Sequence, residues 1–239
     1  MKRALVTGGS GGIGAAICRR LAADGFALIV HANRNLAAAE AVVADIRADG
    51  GQAQAIAFDL TDGEATAAAV DRLLADGPIQ VLVNNAGIHD DAAFPGMSAA
   101  RWQRVIDVSL NGFFHITQPL SLPMIRTRWG RIINITSVAA LTGNRGQVNY
   151  AAAKGALHSA TKALALEVAS RGITVNAVAP GIIRTAMSAG QFDGEVVARL
   201  VPMKRAGEPE EVAALVGFLA SDAAGYITGQ VISINGGMF

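Results

Sequence analysis

The sequence predicts an α/β fold: one domain built on a Rossmann-type, doubly wound parallel sheet with helices on both faces. Three observations predict it. Strand-like and helix-like segments alternate almost without a break. The strand-like segments are continuous apolar runs, as expected when helices cover both faces of a parallel sheet. The first such run passes through a glycine-rich turn directly into a helical pattern, the start of a βαβ unit.

The elements follow in order along the chain. Residues 3–7 form a short apolar strand that ends in glycines, and residues 12–24 form a helix with Ile13, Ile17 and Leu21 on one face. Strand 26–31, helix 36–49 and strand 53–58 come next, with Gly50 and Gly51 closing the helix. Helix 64–75 leads to strand 79–84, and a long helical region runs from Ser98 to about Arg126. Strand 130–136, helix 149–170 and strand 173–179 follow, the last ended by Pro180 and Gly181. Helix 208–220 and strand 231–235 complete the pattern. Right-handed crossovers then place ligands beyond the carboxyl ends of the strands.

Composition narrows the function class. With 239 residues and 51% apolar content, the chain can bury a large core as a single domain spanning 1–239. The 16% charged content suggests that other subunits cover some of the surface. A net charge of +1 and the lack of a basic run argue against nucleic acid or an anionic membrane as partner. No apolar run approaches the roughly 20 residues of a membrane span. The start, Met1-Lys2-Arg3, leads straight into a strand and leaves no room for a signal peptide. Cys18 is the sole cysteine, so no intrachain disulfide forms, and a cytoplasmic location is expected. No cluster has metal-ligand spacing.

The turn after the first strand reads Thr7-Gly8-Gly9-Ser10-Gly11-Gly12-Ile13-Gly14. Glycines permit a tight turn and close approach of phosphates, and the helix start offers N–H groups to a pyrophosphate. A dinucleotide site is therefore expected at Gly8, Ser10, Gly12, Ile13 and Gly14. An acid after the second strand would bind a ribose 2′-hydroxyl. None occurs from Gly25 to Ala39, whereas Asn33 and Arg34 stand there. That segment favours NADP(H), with Arg34 pairing the 2′-phosphate and Asn33 assisting. His31 reads as a strand-end residue.

Tyr150 and Lys154 are four residues apart in a helical segment and so share a face. Ser137 follows the fifth strand. A tyrosine titrates near 10, and lowering it by about three units needs roughly 4 kcal/mol. A neighbouring ammonium and an oxidised nicotinamide supply such stabilisation.

Together these features resemble the short-chain dehydrogenase/reductase family. They match its T-G-x-x-x-G-x-G loop, its N-N-A-G motif at Asn84-Asn85-Ala86-Gly87, and its Ser…Tyr-x-x-x-Lys set. The resemblance spans nearly the whole chain. It implies that Ser137 binds the substrate oxygen, Tyr150 donates a proton and Lys154 supports both tyrosine and cofactor ribose. It also places Asp59 and Leu60 at the adenine, and Asn85, Ala86 and Gly87 beside the cofactor loop. Pro180, Gly181, Ile183 and Thr185 are implied at the nicotinamide, with a substrate lid at about 187–201 flexing at Gly190 and Gly194. Where many relatives have an assisting asparagine, this chain reads Val108-Ser109-Leu110-Asn111. Ser109 thus joins the catalytic set, its backbone carbonyl serving the proton relay. Asn111 lies about 200° further around a helix.

Within the family, residues 146–155, 170–176 and 235–239 most resemble 3-oxoacyl-acyl-carrier-protein reductases of fatty-acid or polyketide/polyene synthesis. Arg128 and Arg171 match positions that contact the acidic carrier protein. The resemblance also implies a homotetramer built on the helices containing Asn111 and Tyr150 and on the final strand. Alternatives are a reductase for an acyl-CoA, a sugar or another ketone, and a non-catalytic NADP-binding redox sensor.

Overall fold

The computed structural model describes residues 1–186 and 194–239. Among these, seven strands form one parallel sheet in the order β3-β2-β1-β4-β5-β6-β7. They are β1 Arg3–Val6, β2 Ala27–Ala32, β3 Ala53–Ala57, β4 Val81–Asn84, β5 Gly130–Ile135, β6 Ile173–Pro180 and β7 Val231–Ile234. The helices are α1 Gly12–Ala23, α2 Leu36–Ala48, α3 Gly63–Ala75, α4 Ala99–Ile106, α5 Gly112–Thr127, α6 Ala139–Thr142, α7 Val148–Val168, α8 Gly194–Leu200 and α9 Pro209–Ala220.

Each inner strand feeds two cores. Ala4 and Val6 of β1 pack with Val30 and Val83 into a layer under α1, α2 and α9. Leu5 points the other way and joins Leu82 and Ile132 under α3, α5 and α7. The period-two geometry of a strand produces this split, and it requires apolar residues at consecutive positions. Helix starts are fixed locally. Asn35 accepts from the Ala38 N–H at 3.1 Å, Asp62 from Ala65 at 2.9 Å and Ser98 from Arg101 at 3.3 Å.

The chain reverses its winding at β1. It runs outward through β2 and β3, then returns to lay β4 on the other side of β1, with Val6 opposite Val83. Helices after β1 and β4 leave towards opposite faces, so a crevice opens at these two strand ends.

The sequence boundaries hold to within one or two residues for most elements. The region from Ser98 to Arg126 differs. A π-helical turn at Asp107–Asn111 separates α4 from α5. A π turn admits one extra residue per turn and leaves no periodicity break a reader of apolar spacing would notice. Gly194, expected as a flexible point of the lid, instead opens helix α8. The remainder of the predicted lid, 187–193 with Gly190, lies outside the described residues. None of the described helices is long and apolar enough to cross a membrane.

Candidate active site

The glycine loop after β1 is held from both sides. Gly8 has φ +61°, and its N–H donates to His31 Nδ1 at 3.2 Å. Its carbonyl accepts from Asn85 Nδ2 at 3.1 Å, and the same amide donates to the Thr7 carbonyl at 2.9 Å. The Thr7 hydroxyl receives the Asn85 and Ala86 N–H groups, both at 3.0 Å. The N-N-A-G segment after β4 thus braces the loop after β1, which strand pairing brings alongside it. A Cβ on Gly14 would lie 2.2 Å from the Gly8 carbonyl oxygen, so only glycine fits there. Gly11 caps α1 without a side-chain bond. No side chain therefore competes for the first-turn N–H groups, which suits a pyrophosphate cradle. Ser10 and Ile13 are half-buried on this loop. The set fits a dinucleotide phosphate.

The adenosine side gathers at the ends of β2 and β3. Asn33 and Arg34 are exposed after β2. Asp59 after β3 takes the Thr61 N–H at 3.0 Å and the Thr61 hydroxyl at 2.8 Å. These bonds hold its carboxyl below the usual range, and Arg34 and His31 add a smaller pull. Leu60 is buried beside Gly112, and its carbonyl meets His115 Nδ1 at 2.8 Å.

Ser137 follows β5, and Tyr150 and Lys154 lie one turn apart on α7. Asn149 sets the start of that helix: its Oδ1 accepts the Tyr150 N–H at 2.8 Å, and its Nδ2 donates to the Asp90 carbonyl at 3.0 Å. Lys154 Nζ lies 5.8 Å from the Tyr150 ring centre and donates to the Ile135 carbonyl at 2.9 Å. Burial brings the Lys154 ammonium down to about 8. Tyr150 departs from expectation. Burial raises its phenol above the ordinary value, the Ser137 hydrogen bond opposes that rise, and Asp91 adds to it. The phenol is thus kept protonated, the form a proton donor needs.

Ser109 sits in the π-helical turn, 3% exposed, and its Oγ has no hydrogen-bond partner among the described residues. A Cβ on Gly87 would lie 2.9 Å from Lys154 Nζ and 3.7 Å from Ser109 Oγ, so lysine and serine converge on one spot. Asn111 is turned elsewhere, donating to Asp107 Oδ1 at 2.7 Å.

The loop after β6 closes over the glycine turn. The Pro180 carbonyl accepts from Val138 at 3.0 Å, and Gly181 donates to Ile234 at 2.9 Å. Ile183 is buried, and a Cβ on Gly12 would lie 2.9 Å from Thr185 Cγ2. Arg128 and Arg171 fall outside this cluster. Both are exposed where the chain enters β5 and β6. Their turns adjoin, since Gly130 donates to the Gly172 carbonyl at 3.3 Å. A strand length, roughly 20 Å, separates them from Ser137.

Reading the sequence missed three positioning residues: Thr7, His31 and Asn149. For Thr7 and His31 the signal was a polar residue closing an apolar run. Among the described residues no group of His, Cys, Asp or Glu could hold a metal ion. Cys18 is buried, and burial pushes its thiol up, away from reactivity.

The Lys154 shift has a measurable consequence. Between about 8 and the ordinary 10.5, the unfolded chain binds a proton that the fold does not. Stability should therefore rise with pH over that window, by up to about 1.4 kcal/mol per pH unit. In Lys154→Met this contribution vanishes. Denaturant unfolding of both proteins at pH 8 and pH 10 should show the wild type gaining on the variant. An unchanged difference would place the lysine outside the dry interior.

Residues 2–195 match the short chain dehydrogenase family model. The 3-oxoacyl-[acyl-carrier-protein] reductase of Synechocystis is 48% identical over 98% of this chain and 96% of its own. The acetoacetyl-CoA reductase of Allochromatium vinosum is 42% identical over 99% and 98%. A solved structure of a putative gluconate dehydrogenase from Agrobacterium tumefaciens superposes with TM-score 0.95 at 35% identity, covering 99% of this chain and 95% of the other. With the glycine cradle, the N-N-A-G brace and the Ser-Tyr-Lys cluster at one end of the sheet, the chain belongs to the short-chain dehydrogenase family of oxidoreductases.

Proposed function

We propose that this enzyme uses NADPH to reduce a 3-oxoacyl thioester, borne on an acyl carrier protein, to the 3-hydroxyacyl thioester. Full-length identity of 48% to a protein named for that reaction carries this reading. The bound dihydronicotinamide supplies a hydride to the carbonyl carbon. Ser137 holds the substrate oxygen, and Tyr150 gives that oxygen its proton in the same step. Lys154 binds the nicotinamide ribose and keeps positive charge near the tyrosinate left behind. Ser109 then serves the proton relay through its backbone carbonyl. Ile183, through its backbone, and Thr185, through its hydroxyl, hold the carboxamide.

Arg34 selects NADPH over NADH, supported by exposed Asn33 and by the lack of an acid from Gly25 to Ala39. Arg128 and Arg171 receive the acidic carrier protein, reaching a neighbouring subunit's entrance in a homotetramer. Exposed apolar side chains support that assembly: Phe114 at 61% and Leu122 at 54% on α5, Leu166 at 85% on α7, and Tyr226 just before β7. The enzyme works in the cytoplasm, in fatty-acid or polyketide/polyene synthesis. A second reading, reduction of an acyl-CoA, draws on the Allochromatium relative.

Three measurements test this. Tyr150→Phe should lower turnover of a 3-oxoacyl thioester more than about a hundredfold while leaving NADPH affinity nearly intact. Turnover within tenfold would remove Tyr150 as the acid. Arg34→Ala should weaken NADPH binding by about tenfold or more, with NADH little changed. Replacing Arg128 and Arg171 together by glutamate should raise KM for the carrier-bound substrate in a salt-dependent way and spare the coenzyme A thioester. Equal KM values for both substrates would favour the acyl-CoA reading.

A further inference from the structure

The His31 ring lies at the end of β2 and is 1% exposed. Both of its nitrogens are engaged. Nδ1 is 3.2 Å from the Gly8 amide nitrogen, and Nε2 is 2.9 Å from the Phe58 carbonyl oxygen. An amide N–H only donates and a carbonyl only accepts. Nδ1 must therefore be bare and Nε2 must carry the proton, which fixes one neutral tautomer. The ring also rests on Phe58, with centres 4.3 Å apart, and the His31 carbonyl accepts from Gly9 at 2.8 Å. One side chain thus ties together the ends of β1, β2 and β3. Those ends carry the glycine loop, Asn33 with Arg34, and Asp59 with Leu60.

We infer that His31 is a positioning residue for the dinucleotide site, orienting the Gly8 peptide through bare Nδ1 and ceasing to do so when its ring is protonated. This rests on the reading of the loop as a dinucleotide cradle. Gly8 is gripped on both sides, by His31 on its N–H and by Asn85 on its carbonyl. With φ at +61° and Asn85 Nδ2 and the Ala86 Cα each 3.1 Å from where a Cβ would stand, it has little room to readjust. A proton on Nδ1 would set two donors against each other and release one grip.

The charged groups near the ring are few. Asp59, next to Phe58, favours protonation, and Arg34 lies beside Asp59. Thr7 to Gly9 and β2 itself bring no charge, and Cys18, against Gly9, is held as a neutral thiol. Burial outweighs the carboxylate and keeps the ring below the usual histidine range. The grip is therefore intact at neutral pH and fails only in acid.

The test uses full-length protein and NADP⁺ titrated calorimetrically from pH 5 to pH 8. His31→Leu removes the acceptor and should weaken binding about tenfold at pH 7.5. His31→Asn restores an acceptor at the Nδ1 position and cannot titrate. It should recover most of the affinity and lack the acid-side decline that His31 adds. The 2′-phosphate titrates near pH 6 by itself, but that contribution is common to all three proteins. Nitrogen-15 spectra of the histidine ring in ligand-free protein should show the Nε2–H tautomer at pH 7.5. Wild-type affinity in the leucine variant, an identical acid decline in the asparagine variant, or an Nδ1–H tautomer would each overturn the inference. Failure of the wild type to bind either NADP⁺ or NAD⁺ at pH 7.5 would instead strike the dinucleotide reading itself.

Discussion

Everything at this site depends on the pairing of β1 with β4. Parallel neighbours end at the same side of a sheet, so Val6 opposite Val83 sets Thr7 beside Asn85. The Thr7 hydroxyl then collects two N–H groups from the β4 turn, and Asn85 returns two bonds to the β1 turn. These bonds join loops that are nearly eighty residues apart in sequence. Without that register the glycine loop would be an unbraced turn, since α1 has no side-chain cap to define its first turn. The winding reversal at β1 keeps the space above these strand ends clear of helices. The fold thereby makes a rigid anion cradle and an open crevice with one topological choice.

A second buried network carries the same order towards the catalytic helix. Asn84 Nδ2 donates to Asn134 Oδ1 at 2.9 Å and to the Thr117 hydroxyl at 3.1 Å, and Asn134 Nδ2 donates to the Thr161 hydroxyl at 2.8 Å. β4, β5, α5 and α7 are locked in mutual register by amides rather than by apolar contact alone. Such groups are costly when unsatisfied, which restricts the ways these elements can slide. Lys154 and Tyr150 inherit their position from that register and from Asn149. Burial works against the charged form of each, lowering the lysine and raising the phenol. At neutral pH the buried ammonium costs stability, whereas the phenol is neutral in the folded and the unfolded chain alike and costs none.

How much of this was legible depended on whether the signal was local. Strands β1 to β7 could be read because each is an apolar run bounded by glycine, proline or asparagine. The glycine loop, Asn85 and the Tyr150–Lys154 spacing could be read because each is a short pattern with one geometry. The π turn at Asp107–Asn111 could not, because its hydrogen bonds shift register without disturbing composition. Nor could the fate of Tyr150. Its acidity was argued from the nearby ammonium, yet the surrounding fold contributes burial and Asp91, which act the other way. His31 looked like an ordinary strand end because its partners, Gly8 and Phe58, lie 23 and 27 residues away.

Substrate choice must be written elsewhere than in the catalytic cluster. On the mechanism proposed above, Ser137 and Tyr150 need only a carbonyl oxygen between them, and any ketone offers one. The likeness to a protein described as a putative gluconate dehydrogenase reaches TM-score 0.95, and one scaffold can host many functions, so the fold alone does not name the substrate. The elements free to do so are those that the sheet does not constrain. One is α8 itself, whose Val197 is buried while Leu200 stands 43% exposed. The others, on the proposed reading, are the turns of Arg128 and Arg171, where no network among the described residues holds the side chains. Arg128 occupies a left-handed position at φ 52°, where its carbonyl leaves Gly172 no space for a side chain. The two turns are thus fastened through their backbones, while the guanidinium groups project outward. A fixed backbone with charges uncommitted among the described residues suits the docking role proposed for them, because it positions attraction without tying either arginine to an internal partner.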